Sequence, residues 1–244
     1  MILSFLFTSL IVWFAAAIQT ATGFGFSILA VPLLLLIHPP LVAVELNLIV
    51  SVFLCFVLIR HVRASVDRTL LLRLIPTSLL GAPLGLFILM WVEPAWFKLG
   101  TACLMLVFLG LLLRQFQINR TASRDRWVGW FAGVFTSAIG AGGIPLLVYF
   151  ASSNLDKAKS RATAVAFFLV IYTVALIMQW LVPSDVQSEQ NDLWWLGFAQ
   201  LPIAALGVWL GHRLYARLDQ RLFALCIRWI LFTNCVVLML DAWI

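Results

Sequence analysis

The 244-residue chain is 64% hydrophobic and only 11% charged, where a soluble domain carries about 25% charged residues. So few charges cannot cover a soluble surface of this size, which leaves an all-α polytopic membrane protein. The apolar stretches are continuous runs rather than alternating strands of ~10 residues, which argues against an outer-membrane barrel. The net charge of +6 reads as basic cytoplasmic loops, not as a nucleic-acid signal. Eleven Trp and nineteen Phe suit interfacial belts and lipid-facing surfaces. Cys55, Cys103, Cys226 and Cys235 lie in apolar runs without metal-ligand spacing and read as small buried hydrophobes. No metal or cofactor is expected.

In chain order the apolar runs are 2–21, 28–37, 41–59, 70–91, 95–113, 128–139, 144–151, 162–182, 193–211 and 222–243. A membrane span needs ~20 residues. The runs 28–37, 128–139 and 144–151 are too short, and each adjoins a glycine cluster. The first run could mimic a secretion signal, but no Lys or Arg precedes it, so it reads as a membrane element that is kept.

Charge sets the orientation. Fourteen of the sixteen Lys and Arg fall in four groups: Arg60–Arg73, Arg114–Arg126, Lys157–Arg161 and Arg213–Arg221. The connection at Glu93 and the stretch with Asp185, Glu189 and Asp192 are acidic or nearly free of basic residues. Basic loops stay in the cytoplasm. Eight simple crossings, with 128–151 counted as one, would put the groups Lys157–Arg161 and Arg213–Arg221 outside. The conflict disappears if 128–151 enters and leaves on one side, as a re-entrant pair of half-helices meeting at Ile139-Gly140-Ala141-Gly142-Gly143. Irregular backbone at that depth is tolerated only where protein or a cavity surrounds it.

The two halves look related. Pro76, Gly81 and Gly85 recur as Pro202, Gly207 and Gly211, each 126 residues later. Gly23-x-Gly25 followed by Pro32-Leu33-Leu34 parallels Gly140-x-Gly142 followed by Pro145-Leu146-Leu147, and beyond the prolines Asn47 pairs with Thr163. The expectation is a first repeat over 1–113, a cytoplasmic linker over 114–126 and a second repeat over 127–244. Each repeat holds one broken re-entrant pair and three transmembrane helices. Three is odd, so the repeats are inverted in the membrane and both termini lie outside.

These residues resemble the TauE/SafE family of sulfite and organosulfonate exporters, also described as anion permeases. The resemblance rests on Thr22-Gly23-Phe24-Gly25-Phe26-Ser27 with Pro32, on Gly140-Ala141-Gly142-Gly143 with Pro145, and on Arg161-Ala162-Thr163. The sequence departs from the family in having Phe26 and Ser27 within the first glycine run and Asn47 in place of a Thr. The resemblance implies a multi-pass inner-membrane transporter, not an enzyme, that exports small sulfur-containing anions among membrane lipids. A homodimer is compatible with it. Import of sulfur anions, carriage of another small solute or ion, and a non-transport assembly role are the alternatives.

The chemistry suits an anion. Glycine lets backbone approach a ligand closely, and a helix restarting after a break offers unpaired N–H groups worth about half a positive charge. The expected N-termini are Ser27–Leu29 and Ile144–Leu146, facing each other near mid-depth. The candidate substrate-binding residues are Thr22, Gly23, Gly25, Phe26, Ser27, Asn47, Ser137, Gly140, Gly142, Gly143, Thr163 and Arg228. Arg228 is the basic residue inside the last apolar run; it lines the pathway or snorkels to the interface. Glu45 is the acidic candidate for proton coupling, or an ordinary interfacial carboxylate. His38, His61 and His212 sit at helix ends or in basic loops without a catalytic motif, and no catalytic residue is expected.

Overall fold

The computed structural model describes residues 2–22, 25–113, 117–153, 155–181 and 187–215, with the single positions 232 and 236. Its described elements are all helical: α1 (Ile2–Thr22), α2 (Phe26–Leu35), α3 (Pro40–Val62), a 3-10 turn at Arg63–Ser65, α4 (Arg68–Trp91), α5 (Pro94–Leu113), α6 (Ala122–Ile139), α7 (Gly143–Ser152), α8 (Lys157–Leu181) and α9 (Gln187–Tyr215). Six of these are long and apolar enough to cross a membrane.

Local chemistry sets the boundaries. Pro40 opens α3, where its missing N–H costs nothing. The Asp67 side chain accepts from the Leu70 N–H and caps α4, while Thr121 accepts from Arg124 and caps α6. Gly140 ends α6 in the left-handed conformation at φ 68°, its N–H bonded to the Thr136 carbonyl at 2.9 Å. Gly25, at φ 114°, begins α2. These two glycines are the described residues with positive φ, and there is one in each interrupted helix.

The arms of those interruptions are unequal. α1 has 21 residues and α6 has 18, against 10 each in α2 and α7. At ~1.5 Å per residue the long arms reach about 27–31 Å, more than half-helices. The charged turn Arg124-Asp125-Arg126 hides the start of α6 from a hydropathy reading. It is helical because the carboxylate of Asp125, fully buried, receives Arg73 at 2.9 Å and the Tyr149 hydroxyl at 2.7 Å.

That Tyr149–Asp125 bond clasps the end of α7 to the start of α6, and the Ile118 N–H adds a bond to the Ser152 carbonyl at 2.7 Å. The two ends of the α6–α7 hairpin therefore lie together. α1–α2 has an equivalent clasp, where Thr8 and His38 share a hydrogen bond of 2.8 Å. Burial pushes the His38 pKa down, which favours a neutral ring there.

Helices pack in a matched pattern: α4 on α6 as α9 on α1, and α4 on α8 as α9 on α3, with α3 against α8. Small residues make the contacts. A Cβ at Gly81 or Gly85 would overlap the carbonyl oxygens of Trp130 and Val134 in α6. One at Gly207 or Gly211 would overlap those of Trp13 and Ala17 in α1. In lipid, where apolar burial does not drive helices together, such close backbone approach is a main source of association.

The basic groups converge at one end of the bundle. The Asp67 N–H donates to Thr163 of α8 at 3.0 Å, Arg120 of the linker lies 3.7 Å from Asp67, and the rings of His61 and His212 are 5.8 Å apart. Exposed tryptophans mark both ends: Trp127 and Trp209 near the basic one, Trp91, Trp96, Trp180 and Trp195 at the other.

Gly85→Ala forces a side chain into the α6 backbone and should cost about 1–3 kcal/mol, or roughly 2–10 °C in Tm at this size. Nothing lies within 4 Å of a Cβ at Gly110, so Gly110→Ala should melt no lower than the parent. Thermal unfolding in detergent checks this, and equal losses in both variants would contradict the packing account.

Candidate functional site

The site is built where the two interruptions meet α3 and α8. On α3, Asn47, Ser51 and Cys55 recur every four residues and so share one face. All three are fully buried. Asn47 donates from Nδ2 to the Gly140 carbonyl at 3.0 Å, holding the end of α6. Cys55 lies 3.9 Å from Nε2 of Gln19, whose Oε1 accepts the Phe26 N–H at 2.9 Å. Gln19 thus satisfies the first exposed donor of α2. The α3 strip runs from one interruption to the other, and Ser51 sits between them with its hydroxyl unpartnered.

On α8 a second pair bridges the same two points. Phe168 and Tyr172 are one turn apart and stacked, with ring centroids 5.2 Å apart. The Tyr172 hydroxyl shares a 3.0 Å hydrogen bond with Ser27 at the start of α2. The Phe168 ring tip would lie 3.3 Å from a Cβ on Gly143 at the start of α7. The N-terminal ends of both short helices therefore converge on this aromatic pair. Helix N-termini carry partial positive charge and unpaired N–H groups.

The expected residues occupy distinct places. Gly25, Phe26 and Ser27 form the start of α2, with Phe26 and Ser27 buried. Asn47 and Gly140 bond directly, and Ser137, one turn before Gly140, is buried with an unpartnered hydroxyl. Thr136, by contrast, donates to the Ala132 carbonyl at 2.6 Å. Gly142 folds back onto α6, where a Cβ would overlap Thr136 Oγ1 and lie 2.5 Å from the Ala132 carbonyl. Its lack of a side chain serves the hairpin's own packing. Thr163 is committed to the Asp67 N–H at the basic end and is not brought to the Asn47–Gly140 pair. Thr22 is the last residue of α1. Gly23 and Arg228 lie outside the described residues.

Five residues of the site escaped the sequence reading. Ser51 and Cys55 continue the spacing of Asn47, a signal legible along α3. Gln19, Phe168 and Tyr172 are distinguished only by what they touch across the fold. Arg161, in the first turns of α8, donates from Nη2 to the Thr20 carbonyl at 2.6 Å, near the end of α1. A cation at a helix C-terminus is favourably placed. Glu45 is buried, with Oε1 unpartnered.

Six helices long and apolar enough to cross a membrane, α1 of the first interruption among them, define the class of multi-pass membrane proteins. The chain belongs to the TauE/SafE family, described as sulfite exporter TauE/SafE, which matches residues 8–240. Its members are membrane transporters and not enzymes. The chain is also similar to the hexose transporter HXT10 of Saccharomyces cerevisiae, 24% identical over 112 residues. That match takes in 46% of this chain and 19% of the yeast protein, so the chain spans about a fifth of that relative's length. No solved structure matches the chain.

Asn47→Leu keeps the branched shape of the side chain but strands the buried Gly140 carbonyl, a loss of about 1–3 kcal/mol. Tyr172→Phe keeps the stack and removes one hydroxyl bond, a loss of about 0.5–1.5 kcal/mol. Denaturation of both variants in detergent should rank Asn47→Leu as the more damaging; the reverse order would contradict the role given to Asn47.

Proposed function

We propose that the protein exports small sulfur-containing anions, sulfite or organosulfonates, across the inner membrane by alternating access. The observation that carries this reading is the convergence of both short-helix N-termini on the Phe168–Tyr172 pair, beside the α3 strip. Three features suit an oxyanion: the backbone donors at Ser27 and Gly143, the hydroxyls of Ser51 and Ser137, and little carboxylate. Asn47 holds the second interruption open, and Gly140 and Gly142 shape its surroundings. Thr22 ends α1 at the first interruption, and Gly23 and Arg228 stand as candidates by sequence. An oxyanion with three oxygens can take several such donors at once.

The architecture that goes with this reading is an inverted repeat of 1–113 and 127–244, joined by the linker 114–126. Support comes from the matched helix partners, from the paired clasps Thr8–His38 and Asp125–Tyr149, and from glycine contacts repeated in α4 and α9. Both interrupted pairs are then re-entrant, the basic end faces the cytoplasm by the positive-inside rule, and both termini lie outside. Rocking of one repeat against the other around a fixed site gives alternating access.

Purified protein in proteoliposomes tests the reading. Sulfite or an organosulfonate anion such as isethionate should move down its gradient far faster than in empty vesicles, and glucose should not. Glucose flux without anion flux would overturn the assignment in favour of a sugar carrier, and no flux of any anion would overturn it outright.

A further inference from the structure

We propose that His61 and His212 form a site for a borderline-soft divalent cation, of the Zn2+ or Ni2+ class, that clamps α3 to α9 at the basic end of the bundle. The two imidazoles stand in the last turns of those helices. Their ring centroids are 5.8 Å apart and their planes are inclined at 59°. With metal–nitrogen bonds of 2.0–2.1 Å, two imidazoles on one tetrahedral ion have centroids about 5–6 Å apart.

The hydrogen bonds fix which nitrogen is free to bind the ion. His61 Nδ1 lies 3.3 Å from the Val57 carbonyl and His212 Nδ1 lies 3.0 Å from the Val208 carbonyl. A carbonyl only accepts, so each Nδ1 carries the hydrogen, and in the neutral ring Nε2 presents a lone pair. A metal-bound histidine characteristically has its second nitrogen tied to a carbonyl or carboxylate in this way. His38 differs: its Nε2 is already bonded to Thr8.

The surroundings define the ligand class. The adjacent guanidinium groups are turned onto aromatic rings, Arg60 at 5.0 Å from the Phe56 centroid and Arg213 at 3.9 Å from that of Trp209. Among the described residues no group of three or more His, Cys, Asp or Glu is assembled to hold a metal, so water completes the shell. Calcium and magnesium need oxygen ligands, whereas imidazole suits zinc, nickel and copper. An ion here would couple α3, which holds the second interruption through Asn47, to α9, which packs on α1.

The test uses full-length protein without a histidine tag, in lipid nanodiscs and stripped with chelator. Zn2+ and Ni2+ are titrated calorimetrically into wild type, His61→Ala, His212→Ala and His38→Ala, each checked for unchanged melting. One ion per chain is expected in wild type and in His38→Ala. Either His61→Ala or His212→Ala should weaken binding at least about tenfold, the lower bound for losing even a supporting partner of a metal ligand. Wild-type binding no tighter than that of His61→Ala, or a loss confined to His38→Ala, would overturn the proposal. The readout is binding, so it stands or falls independently of which solute is carried.

Discussion

The structure depends on one constraint: peptide groups freed where a helix is interrupted in an apolar surrounding must find partners. Leaving a polar group unpaired there costs several kcal/mol. Both interruptions meet this demand with side chains from elsewhere. Gln19 takes the Phe26 N–H, Asn47 supplies a donor to the Gly140 carbonyl, and Arg161 supplies one to the Thr20 carbonyl. Each partner is buried or half-buried, and each fixes the exit or entry angle of the chain. The donors left over at the restarting helices are the chemical resource of the site.

The same economy explains the roles of α3 and α8. Neither helix is interrupted, and each touches both interruptions, α3 through Asn47 and Cys55, α8 through Phe168 and Tyr172. They act as rigid rails between two hairpins whose far ends are clasped by Thr8–His38 and Asp125–Tyr149. Glycine contacts between α4 and α6, and between α9 and α1, let those helices approach backbone to backbone without long interlocking side chains. In the proposed transport cycle such interfaces slide, whereas the clasped hairpins move as units. This is a physical basis for two packings of one chain.

Much of this was legible in the residues. Glycine clusters beside short apolar runs located both interruptions, and the charge groups brought together the loops that meet at the basic end. Gly81, Gly85, Gly207 and Gly211 carried their packing role in their spacing. The length of α6 was not legible, because Arg124-Asp125-Arg126 looks like a loop until Arg73 and Tyr149 pair with Asp125 across the fold. Gln19 and Tyr172 were invisible for a similar reason: a polar residue in an apolar run shows its importance only when its partner is known. Thr163 matched Asn47 by position, yet it bonds the Asp67 amide and does different work.

The central claim is that an anion passes the buried face of α3 between the two interruptions, and Ser51 is the residue that reports on it most directly. With Cys55 and the other native cysteines replaced by Ala or Ser, Ser51→Cys should react with a negatively charged methanethiosulfonate, and a non-nucleophilic organosulfonate anion such as isethionate should slow that reaction in proportion to its occupancy. A thiol at position 51 that stays unreactive in folded protein, or reacts at a rate no anion alters, would contradict the account.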